Sequence, residues 1–263
     1  MTALLLRHDQ DHIATLTLNA PGSLNALSDA MLDALAQALD SLAQDRSVRV
    51  IILRGTGRAF CAGHDLKEMQ GARAAPDGGA AAFADLFARC AAVMQRLPAL
   101  PQPVIAEVQG IATAAGCQLA ASCDLVVAAE TARFGVNGVN IGLFCSTPMV
   151  ALTRKVPPAV AFELLVTGEF LSAARAREVG LVNRIAPPED LSAVTLALAR
   201  TIAQKLTAAV RIGKRAFYDQ QGLPLADAYA RTGAVMSDNM LWRDTAEGIA
   251  AFLEKRSPDW QQS

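Results

Sequence analysis

Apolar and polar positions change period along the chain, and the changes mark its elements. Ala3 to Arg7 and His12 to Asn19 carry β-rich patterns on either side of Asp9-Gln10-Asp11 and predict a hairpin with its turn at those three residues. Ser28 to Gln44 is apolar at helical spacing, which predicts an amphipathic helix with Ser28 as its N-cap. Val50 to Arg54, Val104 to Val108 and Leu125 to Ala128 are short β-rich runs. Residues 71–79, GARAAPDGG, read as a loose loop, and Ala80 to Leu97 as a second long helix. From Ala159 onward the pattern is almost wholly helical, including Ala226 to Met240 and Thr245 to Lys255. It breaks only at Gly180-Leu181-Val182-Asn183-Arg184-Ile185. No fixed-period repeat is present. Alternation of strand and helix predicts an α/β fold.

Composition narrows the class. With 263 residues, 52% of them hydrophobic and 19% charged, the chain can bury one large core. A net charge of −1 gives no general basis for nucleic-acid binding. No run of about 18 uninterrupted apolar residues occurs, so no membrane span is expected. The opening MTALLLRHDQDH is too short and too soon charged for a signal peptide, and a cytoplasmic location is expected. Cys61, Cys90, Cys117, Cys123 and Cys145 are odd in number and irregular in spacing, which predicts reduced, packed thiols. Cys61 and His64 lack a second ligand pair at suitable spacing, so no metal is expected.

Two segments carry the candidate chemistry. In Val108-Gln109-Gly110-Ile111-Ala112-Thr113-Ala114-Ala115-Gly116-Cys117-Gln118-Leu119-Ala120, a strand-like run passes through small residues into a helix. Gly57-Arg58-Ala59-Phe60-Cys61-Ala62-Gly63-His64-Asp65-Leu66-Lys67-Glu68 does the same after Val50 to Leu53. Small residues let a ligand approach the backbone. The first amides of a helix lack internal partners and carry the positive end of its dipole. Two such junctions suit a carbonyl oxygen that becomes negative during reaction.

This pair resembles the crotonase family, the enoyl-CoA hydratase and isomerase superfamily. So do Asn25-Ala26-Leu27 and Ala251-Phe252-Leu253-Glu254-Lys255-Arg256-Ser257-Pro258. The resemblance spans nearly the whole chain. It implies a spiral of ββα units with a C-terminal helical region for trimer assembly: a core at 1–190 holding an acyl-CoA site, and an oligomerising region at 191–263. It also implies homotrimers or hexamers and acyl-CoA thioester ligands. Coenzyme A would be part of the substrate, with no separate cofactor.

By the same resemblance, the backbone N–H groups of His64 and Ala115 form an oxyanion hole for a thioester carbonyl. Ala115 stands where glycine is common, and an Ala keeps the N–H if the backbone angles allow its Cβ. Ser23, Leu24 and Ala26 match the segment beside the adenine, but Ala20-Pro21 replaces the usual Arg-Pro. Ala62, Asp65, Leu66 and Lys67, with Gly116 and Leu143, match positions along the bound thioester. Two readings stand for Lys67, a phosphate contact or a solvated side chain, and the same two stand for Lys255.

The departures bear on mechanism. Hydratases of the family place two glutamates around one water. Here the first position is Gln118 and the second, closing Phe134-Gly135-Val136-Asn137-Gly138, is Gly138. An amide takes no proton near neutral pH, and glycine offers no side chain. General acid–base catalysis supplies about 10²–10⁴-fold, so weak hydration is expected. Restoring both carboxylates should raise it, provided Gly138 does not hold a positive φ. Asn140-Ile141-Gly142-Leu143-Phe144-Cys145-Ser146-Thr147-Pro148 replaces the glycine-rich water-binding stretch and resembles the enoyl-CoA hydratase domain-containing branch. Ser146 and Cys145 are candidates for the old water site. His64 and Glu68 are candidates for a relocated proton carrier, with Glu68 otherwise supporting a helix start. A non-catalytic acyl-CoA binder is the alternative.

Overall fold

The first chain reversal sets one edge of the main sheet. Strand β1 (Leu5–Gln10) pairs antiparallel with β2 (Ile13–Leu18), from Leu5↔Leu18 to Gln10↔Ile13. The turn is left to Asp11 and His12, whose φ angles of 52° and 64° are both positive, the arrangement that suits the twist of a two-residue hairpin. The turn therefore lies past the expected Asp9–Asp11, and β1 extends beyond Arg7. The computed structural model describes residues 3–261.

Helix α1 (Asp29–Gln44) starts where expected: Ser28 Oγ accepts from the Met31 amide at 3.2 Å. It buries Met31, Leu32, Leu35, Leu39 and Leu42 on one stripe. The chain then winds. After β3 (Val50–Gly55) come β4 (Ala59–Cys61), α2 (Leu66–Ala72) and α3 (Ala80–Ala99). The next turn is β5 (Val104–Val108), β6 (Ile111–Thr113) and α4 (Ala115–Ser122). The third is β7 (Leu125–Ala129), β8 (Arg133–Gly135), a 3₁₀ turn at Asn137–Ile141 and α5 (Pro148–Leu152).

Each turn lays one strand in each of two sheets. The larger has the order β1-β2-β3-β5-β7-β10, where β10 is Arg184–Ala186, and is parallel from β2 onward. The smaller is β4-β6-β8-β9, where β9 is Phe170–Ser172. Parallel strands need both faces covered, and β5 is buried at every position. The three-residue strands of the smaller sheet carry no periodicity and were not expected. Strand β9 also interrupts the stretch read as helical, between α6 (Pro158–Thr167) and α7 (Ala173–Glu178). Strand β10 falls at the expected break.

Helices α8 (Leu191–Ala203), α9 (Thr207–Gln220), α10 (Leu225–Met240) and α11 (Arg243–Leu253) complete the chain. Helix α8 lies over the larger sheet, where Ser192 Oγ donates to buried Glu107 Oε1 at 2.9 Å. Helix α10 has no buried residue. Among the described residues no helix is long and apolar enough to cross a membrane.

Candidate functional site

The site begins with a buried amide. Asn25 holds a positive φ of 55°, and its side chain is fully used. Oδ1 accepts from the Ala20 amide at 2.9 Å, while Nδ2 donates to the carbonyls of Thr56 and Ala59 at 2.8 and 2.9 Å. This ties the loop from Ala20 to Leu27 onto the β3–β4 connection. Backbone bonds from Ala62 N to Leu24 O and from Leu27 N to Gly63 O lay that loop along the end of β4. Leu24 is thereby brought beside Ala62 and Leu27 beside His64, with Ser23 and Ala26 in the same loop. Asp65 N-caps α2, accepting from the Lys67 amide at 2.8 Å, and Leu66 and Lys67 are exposed on its first turn.

The two small-residue junctions meet. A Cβ built on Gly116 would lie 2.0 Å from Cys61 O, so only glycine lets α4 approach β4 this closely. One built on Gly63 would lie 3.0 Å from Ala114 Cβ and 3.3 Å from Ala115 N. The turn that presents the His64 amide thus abuts the turn that presents the Ala115 amide. Neither amide donates to a backbone carbonyl among the described residues. Ala115 itself is the first residue of α4, and the unusual angles fall one residue earlier, at Ala114, with φ 50° and ψ −121°.

The two positions expected for carboxylates differ in kind. Gln118, on α4 one turn after Ala115, is 4% exposed, and its Oε1 has no hydrogen-bond partner. Gly138 does not hold a positive φ, so the strain foreseen there is absent. Space is what excludes a side chain: a Cβ would meet Leu143 O at 2.3 Å and Cys145 Sγ at 2.8 Å. The Leu143–Cys145 backbone, held by Leu143 N to Gly138 O at 3.0 Å, fills the volume a glutamate would need. Restoring both carboxylates by substitution is therefore not open to this backbone.

The remaining candidates fall into place individually. The His64 ring stands edge-on to Phe87 with centroids 5.7 Å apart, and neither nitrogen has a hydrogen-bond partner. Burial pushes its pKa down, while the nearby Leu27 carbonyl and Asp29 push the other way. Glu68 reaches across to accept from the Asp29 amide at 2.9 Å, so it supports the start of α1 and not that of its own helix. Ser146 is exposed, and its hydroxyl donates to Phe144 O at 3.4 Å. Lys255 lies just beyond α11 with φ 56°, and no hydrogen bond or ion pair joins it to the site among the described residues. Burial pushes the Cys61 and Cys117 thiols up to about 12 and raises that of Cys145.

Sequence reasoning missed Thr113 and Asn137. Thr113 Oγ1 donates to Asn137 Oδ1 at 2.6 Å, linking β6 just before the strained turn to the 3₁₀ segment containing Gly138. Their partnership spans 24 positions and leaves no local pattern.

Comparison with known proteins bears on the family and the fold. The sequence profile described as Enoyl-CoA hydratase/isomerase matches residues 8–263. Enoyl-CoA hydratase domain-containing protein 3, mitochondrial, of Xenopus laevis is 44% identical over 262 residues, covering 100% of this chain and 87% of that protein. The crystal structure of human enoyl Coenzyme A hydratase domain-containing protein 3 superposes with a TM-score of 0.93 at 43% identity, covering 98% of this chain and 100% of that one. That of an enoyl-CoA hydratase from Mycobacterium smegmatis gives 0.94 at 53% identity, covering 98% and 99%. The vertebrate relative is named mitochondrial, which does not fit an expectation of a purely cytoplasmic protein. From the profile match, the full-length relatives and the shared spiral, the chain is a member of the enoyl-CoA hydratase/isomerase family.

Proposed function

We propose that the chain binds acyl thioesters of coenzyme A, with the thioester carbonyl oxygen held between the amides of His64 and Ala115, and that it hydrates enoyl thioesters poorly. The contact between the two turns, Gly63 against Ala115 N, carries the reading. It sets two unclaimed backbone donors side by side, and donors fixed in advance stabilise an oxygen that gains charge. Ser23, Leu24, Ala26, Ala62, Asp65, Leu66, Lys67, Gly116, Leu143 and Lys255 are the proposed contacts along the thioester and its coenzyme A.

Poor hydration follows from what surrounds the carbonyl. Gln118 offers an amide, Gly138 offers nothing, and Leu143 and Cys145 close the space behind it. Glu68 is held by the Asp29 amide. A non-catalytic acyl-CoA binder in lipid metabolism is the second reading, and the sealed position at Gly138 is the observation that favours it. The division into a core at 1–190 and an oligomerising region at 191–263, forming a trimer or a pair of trimers, belongs to the same proposal.

The test is a crystal structure with a bound, non-reacting thioester such as butyryl-CoA. The carbonyl oxygen is expected within about 3.5 Å of both the His64 and Ala115 nitrogens. Density with that oxygen beyond this distance from both overturns the assignment.

A further inference from the structure

Three arginines meet at the end of the larger sheet away from the two junctions. Arg46 and Arg49 lie in the turn that leads into β3, and Arg211 stands one turn into α9. Arg211 Nη2 donates to Arg46 O at 3.4 Å and to Val48 O at 3.2 Å, so its guanidinium rests against that turn. Arg49 Nη1 donates to Ala203 O at 3.0 Å, at the end of α8 and just ahead of α9. Arg46 is exposed, and Arg49 and Arg211 are half-buried. Strand β3 separates this cluster from the junctions: Arg49 precedes its first residue, while its last, Gly55, adjoins Asn25 and Phe60.

The partners of these guanidiniums are neutral carbonyls, and among the described residues none of the three forms an ion pair. The carboxylate beside them is already taken: Asp45 accepts from Arg7 Nη2 and from the Ser47 hydroxyl, each at 2.6 Å. Burial pushes the Arg211 pKa down, Arg46 and Arg49 push it further, and only Asp45 opposes them. Arg211 Nε is buried without a hydrogen-bond partner, and its Nη1 makes no hydrogen bond among the described residues. Helix α9 also starts here without a side-chain cap, and its dipole adds positive potential at the same end. Like charges held together repel, and a bound anion offsets that repulsion. A carboxylate has two oxygens, enough for one guanidinium fork. A phosphate dianion carries more charge and more oxygens, and suits several forks at once.

We propose that Arg46, Arg49 and Arg211 form a binding site for a phosphate oxyanion, either free phosphate or the phosphate group of a larger ligand. The two backbone-tethered arginines hold their guanidiniums in place, and exposed Arg46 closes on the anion from the solvent side. The site is separate from the two junctions and does not depend on the acyl-CoA reading.

Phosphorus-31 NMR titration of the full chain with inorganic phosphate and with phenyl phosphate, at ionic strength held constant with chloride, tests it. Saturable binding of one equivalent per chain is expected for at least one of the two. Binding of inorganic phosphate alone assigns the site to free phosphate; equal or tighter binding of the ester assigns it to a phosphorylated ligand. Arg46→Gln, on an exposed side chain, and Arg46→Gln with Arg49→Gln, shown by circular dichroism to be folded, should each weaken binding, the double variant at least about tenfold. Lys67→Gln removes one cation at the other end of the sheet and should leave binding unchanged. Absence of saturable binding for both probes, affinity that survives in the double variant, an equal loss in Lys67→Gln, or displacement of phosphate by equimolar acetate overturns the proposal.

Discussion

At Ala114 the backbone takes φ 50° and ψ −121°, a conformation natural to glycine and strained for a residue with a Cβ. Its amide is held by Gly135 O at 2.9 Å, and the next amide is the proposed oxyanion donor. The strain thus falls in the turn immediately before the Ala115 amide. Sparsely populated conformations cost about 1–3 kcal/mol, and glycine returns part of that through the freedom of the unfolded chain. Ala114→Gly is expected to raise stability by about 1 kcal/mol in urea unfolding; an unchanged or lowered midpoint at equal slope contradicts the strain. The small residues of this turn were legible in the sequence because close approach needs them locally. The fate of Gly138 was not, because it is decided by Leu143 O and Cys145 Sγ folding back over it. A glycine that lacks a carboxylate and a glycine that has no room for one look the same in a sequence.

Helix α9 shows how an element outside the site is fixed. Lys214 is buried and donates to Leu97 O and Gln102 O at 2.9 Å each and to Asp124 Oδ2 at 2.7 Å. Asp124 also accepts from Tyr218 Oη at 2.7 Å and from the Val104 amide at 2.6 Å. Burial pushes the Lys214 ammonium down and Asp124 holds it up, so the pair depends on staying together. One cation therefore joins α9 to the end of α3, the start of β5 and the α4–β7 junction. Removing one partner of a buried pair leaves the other uncompensated, so Lys214→Met is expected to cost about 3 kcal/mol. Chemical denaturation reads this directly, and a loss under about 1 kcal/mol rules out the pinning role. The long elements of the fold were legible because burial imposes a period: α1 and α3 appear where their apolar stripes predict them. The smaller sheet was hidden because three residues cannot display a period, and because its pairings, β4 with β6 and β6 with β8, join distant segments.

For the whole molecule, the C-terminal helices leave apolar surface uncovered. On α10, Leu225, Tyr229, Met236 and Met240 are 75%, 72%, 71% and 56% exposed. Spacings of four and seven residues place them on one stripe of a helix that buries nothing in the single chain. A stripe of this kind marks an interface, and the expected outcome in light scattering is a trimer or a multiple of it, with a stable monomer at micromolar concentration as the opposing result. The spiral holds the two junctions together whatever that assembly is, since Gly116 on Cys61 and Gly63 on Ala115 are contacts within one chain. On the proposed reading, the molecule keeps a pair of backbone donors for a carbonyl while lacking the carboxylates that would move protons beside it. Steady-state turnover of saturating crotonyl-CoA, followed as loss of the conjugated enoyl absorbance, tests this most directly. Without either carboxylate the rate should fall at least about 10²-fold below the ordinary enzyme range, to under about 10⁻² per second. Hydration at about 1–10³ per second would contradict it.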